Sequence, residues 1–237
     1  CGITTLLCEC LTTHNWKKNK ENPMTFFNKI AFTGVVIFSM ISTAYAENFT
    51  IKYSSNYLMP AYVNFKHDSG KYEIQSKINV PLYNIVFTAK GTEKNGIFNM
   101  LSYRDTRNGK TYALAEIDSQ SIQYGKAKDP LTTEPLTMPT FDLFTTAFQL
   151  SYYDKLPTSF QTTNGKKLYP TPNVKLKKSQ KAVTEDGKTY QEITYSFTTN
   201  DHKAITVKKF EGEKFPRFIS YNRDGDNYEL KFDGLIN

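Results

Sequence analysis

The 237-residue sequence predicts a mainly β protein: a single domain of about ten mostly sequential antiparallel strands that form a curled sheet or half-barrel, with one central helix packed on or in it. Three observations give this prediction. Apolar and polar residues alternate along most of the chain after residue 47, turn sequences separate the alternating runs, and aromatic residues are abundant, with 17 Phe and 16 Tyr. Aromatic side chains suit the half-buried surface of a pleated sheet.

Residues 24–46 have the three parts of a secretory signal peptide. Lys29 is positively charged, residues 30–41 are apolar, and small residues end the segment, so cleavage is predicted between Ala46 and Glu47. The apolar run of about a dozen residues is shorter than the roughly 20 that span a bilayer, which favours removal over an uncleaved membrane anchor. We therefore expect an exported protein in the periplasm of a Gram-negative cell envelope, with residues 47–237 as its mature β-rich domain.

Residues 1–23 precede this signal and are interpreted as a non-native or disordered upstream extension, because a signal peptide acts at the N-terminus of a chain. All three cysteines and the single tryptophan lie before residue 47, so the mature domain has no thiol and no disulfide. The Cys8-x-Cys10 pair with His14 does not have the spacing of a closed zinc site.

The charge of the chain argues against a nucleic-acid partner. The formal net charge of the whole chain is +7, but arginine, which grips phosphates and base edges, is scarce and occurs only at residues 104, 107, 217 and 223. A weak contact with an anionic membrane surface stays open. The alternative interpretation is that the lysines lie on solvated strand faces.

Two blocks of alternating sequence predict the strands. In the first block, "AYVNFKH" and "YEIQSKINV" form a hairpin around "DSGK", and Asn-Gly turns separate the following runs "LYNIVFTAK", "IFNMLSY" and "TYALAEID". The second block contains "VKLKKSQKAV", "TYQEITYSFTT", "KAITVKKF", "RFISYN" and "NYELKFDG".

The segment between these blocks interrupts the pattern. Three prolines in "KAKDPLTTEPLTMPT" predict an extended loop, and "FDLFTTAFQLSYYD" (residues 141–154) then predicts the one helix. Its polar residues form one narrow stripe, so the helix must bury two sides. We expect it to fill the concave side of the sheet or to line a pocket between the sheet and the proline-rich loop, with these candidate lining residues for a hydrophobic ligand: Phe141, Leu143, Phe144, Phe148 and Leu150.

The order of three segments, "DLFTTAFQL", "KLPTSFQTTNGKKLY" and "FPRFISYNRDGDNYELKF", resembles the exported domain-of-unknown-function 3108 family over about residues 50–235. The sequence has "YLMPAYVNF" where that family often has a Gly-x-x-x-Gly-type turn. The resemblance implies a curled antiparallel sheet. It implies no activity and therefore no catalytic residues.

Candidate catalytic and metal-binding residues are few. His67 and His202 are predicted to lie exposed in turns, which disfavours a Ser-His-Asp site, and no zinc motif occurs. Asp142 and Asp154 flank the helix and could form the carboxylate pair of a glycosidase, but helix capping explains Asp142 more simply. Residues 222–227, "NRDGDN", suggest either a calcium loop or a hairpin turn, and the distal Glu of a calcium loop is absent.

The sequence therefore predicts a non-enzymatic periplasmic protein without cofactor or metal, which binds or carries a lipid or another hydrophobic small molecule. Three alternatives are an outer-membrane β-barrel, an envelope interaction protein and a carboxylate-based hydrolase. Lysines on both faces of "VKLKKSQKAV" and "AITVKKF" disfavour the barrel, because alternate residues of its strands would face lipid. The sequence indicates no oligomeric state.

Overall fold

The computed structural model of the protein describes residues 46–56, 59–223 and 226–236. Predictions for residues 1–45, including the signal peptide up to its last residue, lie outside the described residues. The described residues form sixteen strands and one helix. The first elements in chain order are β1 (Glu47–Ser55), β2 (Ala61–Asp68), β3 (Lys71–Val80), β4 (Tyr83–Lys94), β5 (Ile97–Arg107), β6 (Lys110–Ile117), β7 (Ser121–Lys126) and β8 (Thr132–Pro135).

The remaining elements follow the proline-rich segment. They are β9 (Thr140–Phe141), α1 (Leu143–Tyr153), β10 (Phe160–Thr163), β11 (Leu168–Thr171), β12 (Lys177–Glu185), β13 (Lys188–Thr198), β14 (Ala204–Phe210), β15 (Phe218–Arg223) and β16 (Asp226–Ile236). The prediction of a mainly β fold with one helix is confirmed. The strand number is higher than predicted because β1, β7 and the short strands β8 to β11 add to the ten expected.

Thirteen strands form one open sheet in the order β12-β13-β14-β15-β16-β1-β2-β3-β4-β5-β6-β7-β8. Nearly all neighbours in this order are consecutive in the chain, as the short turns require. The exception is the antiparallel pairing of β1 with β16, in which Ile51 lies opposite Leu235. This pairing joins the two strand blocks into one sheet. The other three strands form a small sheet, β11-β10-β9, in which β9 and β10 are parallel.

The core lies between the inner face of the large sheet and helix α1. Alternate residues of β1, β2, β13 and β14 are buried, as the period of a strand requires. Residues of these strands and of α1 belong to one apolar cluster, in which Phe148 of the helix stacks on Phe65 of β2 at 4.7 Å between ring centroids. The sheet therefore contacts the helix from both strand blocks.

Helix α1 is buried with its polar side chains included. Every residue from Phe144 to Ser151 is buried, so the polar stripe cannot face solvent. Gln149, which belongs to this stripe, forms three hydrogen bonds inside the protein. Its Oε1 accepts from the Phe98 N–H at 2.8 Å, and its Nε2 donates to the carbonyls of Gly96 at 3.0 Å and Lys155 at 3.1 Å. The side chain thereby joins the helix to β5.

A buried lysine donates a hydrogen bond to a backbone carbonyl in the last turn of the helix. The Lys209 side chain is only 5% exposed, and its Nζ donates to the Ser151 carbonyl at 2.7 Å and pairs with Asp154 at 3.0 Å. The Tyr195 hydroxyl also donates to Asp154. Although burial opposes it, these two partners lower the pKa of the Asp154 carboxyl. Helix α1 has 11 residues. No helix in the described part of the chain is long and apolar enough to cross a membrane.

Replacing Gln149 by leucine should lower the free energy of unfolding by roughly 2–4 kcal/mol, because the buried Phe98 N–H and two partly buried carbonyls lose their partner. Chemical denaturation measures the change, which would also lower Tm by several degrees. Gln75 lies exposed on β3, so Gln75→Leu is the matched control and should change stability by less than about 0.5 kcal/mol. Equal effects of the two variants would contradict the role assigned to Gln149.

Candidate functional site

The N-terminal end of helix α1 faces the interior of the sheet and is capped by Asp142. The carboxylate accepts from the N–H groups of Thr145 at 2.8 Å and Phe144 at 3.3 Å, which are orphan donors at a helix start. Asp142 is only 4% exposed. Burial raises the pKa of its carboxyl above the ordinary value, although the hydrogen bonds from Thr145 and Phe144 oppose this shift.

An apolar cavity of about 330 Å³ lies beside this helix end. Most of its wall comes from side chains of β2, β3, β15 and β16 and from the first turn of the helix. The residues around it are Ser55, Met59, Ala61, Ile78, Val80, Phe87, Leu143, Phe144, Ile219, Tyr221, Tyr228, Glu229 and Leu230. The lining is predominantly hydrocarbon, which suits an aliphatic or aromatic group.

A second cavity, of about 320 Å³, adjoins the apolar cavity and has a mixed wall. Both cavities share four lining residues, Phe87, Leu143, Phe144 and Tyr221. The second is called the polar cavity because three cationic side chains, Arg107, Lys166 and Lys203, lie in its wall. Two carboxylates, Asp105 and Asp142, lie in the same wall, so an apolar compartment adjoins one that has three cationic and two acidic side chains.

Two of the three cations already have partners inside the protein. The Arg107 guanidinium donates to both carboxylate oxygens of Asp105, at 3.1 and 3.0 Å, and stacks on the Tyr112 ring at 3.7 Å. Hydrogen bonding to Asp105 raises the pKa of Arg107 further above its already high ordinary value. Lys203 forms an ion pair with Asp201 at 2.6 Å.

Lys166 differs from these two, because it forms no ion pair with any residue in the described ranges. Its position is fixed by the turn between β10 and β11. The Gly125 N–H donates to the Gly165 carbonyl at 2.8 Å, and a Cβ on Gly165 would come within 3.0 Å of the Leu114 backbone nitrogen. Glycine at residue 165, whose φ is 78°, allows this close approach. Lys166 is therefore held at the polar cavity with a charge available to a ligand.

The predicted lining residues divide into two groups. Leu143 and Phe144 line both cavities. Phe141, Phe148 and Leu150 line neither of these two cavities, so for them a role as lining residues stays a prediction. All three are fully buried in the core cluster.

The cavity-lining residues that the sequence analysis missed come from distant strands. Ile78 and Val80 belong to a sequence run in which apolar and polar residues alternate. This alternation predicts that they lie on the inner face of the sheet, but it does not identify the cavity that they line. No local sequence pattern predicted that Arg107, Lys166 and Lys203 line the same cavity, because they lie up to 96 positions apart in the sequence. The predicted cleavage site has Ala46 as the first described residue and Glu47 as the first residue of β1.

The histidines occupy different environments. His202 is exposed in a turn, as predicted. The expectation for His67 is wrong, because it lies on β2, is half-buried, and places its ring 5.5 Å from the Tyr152 ring. Its Nδ1 lies 3.3 Å from the Tyr152 hydroxyl. The long-range packing of helix α1 against β2 explains this burial.

The two helix-flanking carboxylates do not form a catalytic pair. Asp142 is the N-cap and Asp154 the C-cap of α1, so about 18 Å separates them along the axis. The paired carboxylates of glycosidases lie about 5–9.5 Å apart. Among the described residues, no group of three or more His, Cys, Asp or Glu could hold a metal. The proposed calcium loop lies partly outside the described residues, since residues 224 and 225 are not among them.

Comparison of the chain with protein-family models, with curated proteins and with solved structures found no match. The resemblance to the domain-of-unknown-function 3108 family therefore stays a prediction.

Asp142→Asn should stabilise the protein at pH 7 relative to the parent, because it keeps a capping oxygen and removes a buried negative charge. A raised folded-state pKa means that the carboxyl contributes stability at low pH, which is lost as the pH rises through that pKa. The difference between the two proteins should therefore vanish near pH 3, as measured by urea unfolding at both pH values. Asp142→Ala is the control for the cap and should cost about 1–2 kcal/mol. An Asn variant that is less stable at pH 7 than at pH 3, relative to the parent, would show that the site favours the charge.

Proposed function

We propose that the mature protein binds a lipid or another hydrophobic small molecule with one polar end, and carries it through the cell envelope without catalysing a reaction. The single observation that favours this function is the pair of adjoining cavities at the start of helix α1. One has a mainly hydrocarbon wall and the other has three cations, and this matches the two parts of an amphipathic molecule. Periplasmic location and export are part of the same proposal.

The sizes of the cavities support a small ligand. Binding pockets for small molecules usually have about 300–1,000 Å³. Each cavity here is at the lower end of that range, at about 320 and 330 Å³, and the shared residues Leu143 and Phe144 lie between them. An aliphatic chain in the apolar cavity would gain from leaving water, since burial of each methylene is worth about 0.8 kcal/mol.

The charges of the polar cavity favour an anionic end group on that ligand. Arg107 and Lys203 are neutralised by Asp105 and Asp201, whereas Lys166 has no carboxylate partner among the described residues. A single carboxylate or phosphate group on the ligand would provide that partner. Hydrogen bonds to such a charged group are among the stronger ones in proteins.

Two other functions have less support. A carboxylate-based hydrolase needs two carboxylates close together, and Asp142 and Asp154 cap opposite ends of α1. An envelope interaction protein could pair a partner strand with the exposed edge strand β12. Lysine is frequent on that strand, including Lys177, Lys178 and Lys181, and lysine on an edge discourages strand pairing.

Leu143→Trp should weaken binding of a dansyl-labelled fatty acid, because the indole would occupy space in both cavities. The parent protein should bind this probe with an increase in dansyl fluorescence, and the variant should show at least a tenfold loss of affinity. Leu101 lies exposed on β5 and outside the two cavities, so Leu101→Trp is the matched control and should bind like the parent. If the parent binds no probe, and gentle extraction from the cell envelope yields no co-purifying lipid by native mass spectrometry, the carrier function is wrong.

When expressed from Met24 in a Gram-negative host, the protein should be recovered by osmotic shock with Glu47 as its first residue. N-terminal sequencing and mass spectrometry check the cleavage. Ala46→Arg should leave an uncleaved precursor, because the residue before the cleavage site must be small. Recovery only from detergent extracts of the outer membrane would contradict the periplasmic location and favour the outer-membrane alternative.

A further inference from the structure

The turn between β3 and β4 exposes an apolar tip. Val80 is opposite Tyr83 in the strand pairing, so the turn consists of Pro81 and Leu82. Leu82 is fully exposed, and the flanking Val80 and Tyr83 are each more than a third exposed. An isolated exposed leucine is unremarkable, but three neighbouring apolar side chains at the apex of a hairpin form a projecting apolar surface.

The backbone of this turn does not favour leucine. Leu82 has a φ of 64°, in the left-handed region that glycine, asparagine and aspartate adopt most readily. Of the described non-glycine residues with positive φ, it is the only apolar one, since the others are Ser69, Asn95, Asn108, Asp154, Asn173, Asp186 and His202. Neither packing nor turn geometry accounts for leucine at this position, and such a residue points to a functional role.

The tip is held in a fixed position beside the next turn of the sheet. The Asn84 N–H donates to the Asn108 side chain at 2.7 Å, and the Asn108 N–H donates to the Asn84 carbonyl at 2.8 Å. These two bonds connect the start of β4 to the turn between β5 and β6. The apolar tip is therefore part of the rim of the sheet.

The tip also borders the apolar cavity. Val80 immediately precedes the turn and lines the cavity together with Ile78. Met59, from the connection between β1 and β2, lines the same region. An apolar surface that contacts the tip would therefore lie next to the cavity wall.

Positive charge flanks the tip on one side. Lys110, the first residue of β6, is exposed. Lys126, the last residue of β7, is half-buried, and the turn that follows has the exposed Lys128 against one exposed acid, Asp129. On the other side, Asp226 is exposed on β16. The basic side chains therefore begin next to the turn between β5 and β6, which is hydrogen-bonded to Asn84.

We propose that this rim docks on an anionic lipid bilayer, with Leu82 inserted among the lipid chains and Lys110 and Lys128 at the head groups. An apolar tip next to basic side chains matches the apolar interior and negative surface of such a bilayer. The inference rests on the proposed function, for which it supplies the route by which a lipid reaches the apolar cavity.

The test measures binding of the protein to vesicles by co-sedimentation. Vesicles of phosphatidylcholine mixed with phosphatidylglycerol should bind the protein, and added salt or vesicles of phosphatidylcholine alone should weaken binding. Leu82→Asn should weaken binding about tenfold, because it removes the inserted side chain while asparagine tolerates the positive φ. Lys110→Gln should weaken it about fivefold. Leu235→Asn is the matched control, since Leu235 is exposed on β16 away from these turns, and should bind like the parent.

The outcomes separate this inference from the proposed function. Leu82→Asn should still bind the dansyl-labelled fatty acid in solution, because Leu82 lines neither cavity. Probe binding by a protein that does not bind anionic vesicles, or equal vesicle binding by the Leu82 and Leu235 variants, would overturn the docking surface alone. Vesicle binding that depends on Leu82, with neither probe binding nor a co-purifying lipid, would support the docking surface and overturn the carrier function. A dimer in sedimentation that Leu82→Asn dissociates would assign the tip to a second copy of this chain and overturn the inference.

Discussion

The fold depends on the burial of helix α1 from Phe144 to Ser151, its polar side chains included. A helix enclosed by protein cannot use water to satisfy the backbone groups at its ends, so the surrounding chain has to supply partners for them. Asp142 caps the first turn, Gln149 bonds to β5, and Lys209 of β14 donates to the Ser151 carbonyl in the last turn. These partners come from both strand blocks. The sheet therefore has to curl around the helix for all of them to reach it.

The two ends of the helix are packed differently, and this difference places the candidate site. Towards its C-terminal end, Phe148 stacks on Phe65, and Tyr152 and Tyr153 contact the ring of Phe98. At its N-terminal end, side chains leave two adjoining cavities. The apolar cavity opens among the turns of the sheet rim, where the β3–β4 turn also lies. Close packing of aromatic rings thus fixes the helix at one end and leaves space for a ligand at the other.

Much of the fold could be predicted because strands with a buried face alternate in sequence. The ten expected strands and the helix are present, and the helix begins and ends within two residues of the predicted segment. Strand β1 was missed although Phe49, Ile51 and Tyr53 alternate. Strands β8 to β11 could not be recognised, because two to four residues are too few to show a period, and β8 and β11 each contain a proline. Their pairing depends on partners elsewhere in the chain.

The sequence by itself determined the mainly β class, the position of the one helix and the need to bury that helix on more than one side, since each follows from local periodicity. It also named Leu143 and Phe144 as lining residues. Only the tertiary structure decided that Phe148 stacks on Phe65 in the core, and that Lys166 at a cavity wall has no carboxylate partner among the described residues. Which side chains meet a cavity depends on contacts between residues far apart in the chain, and local pattern contains no information about those contacts.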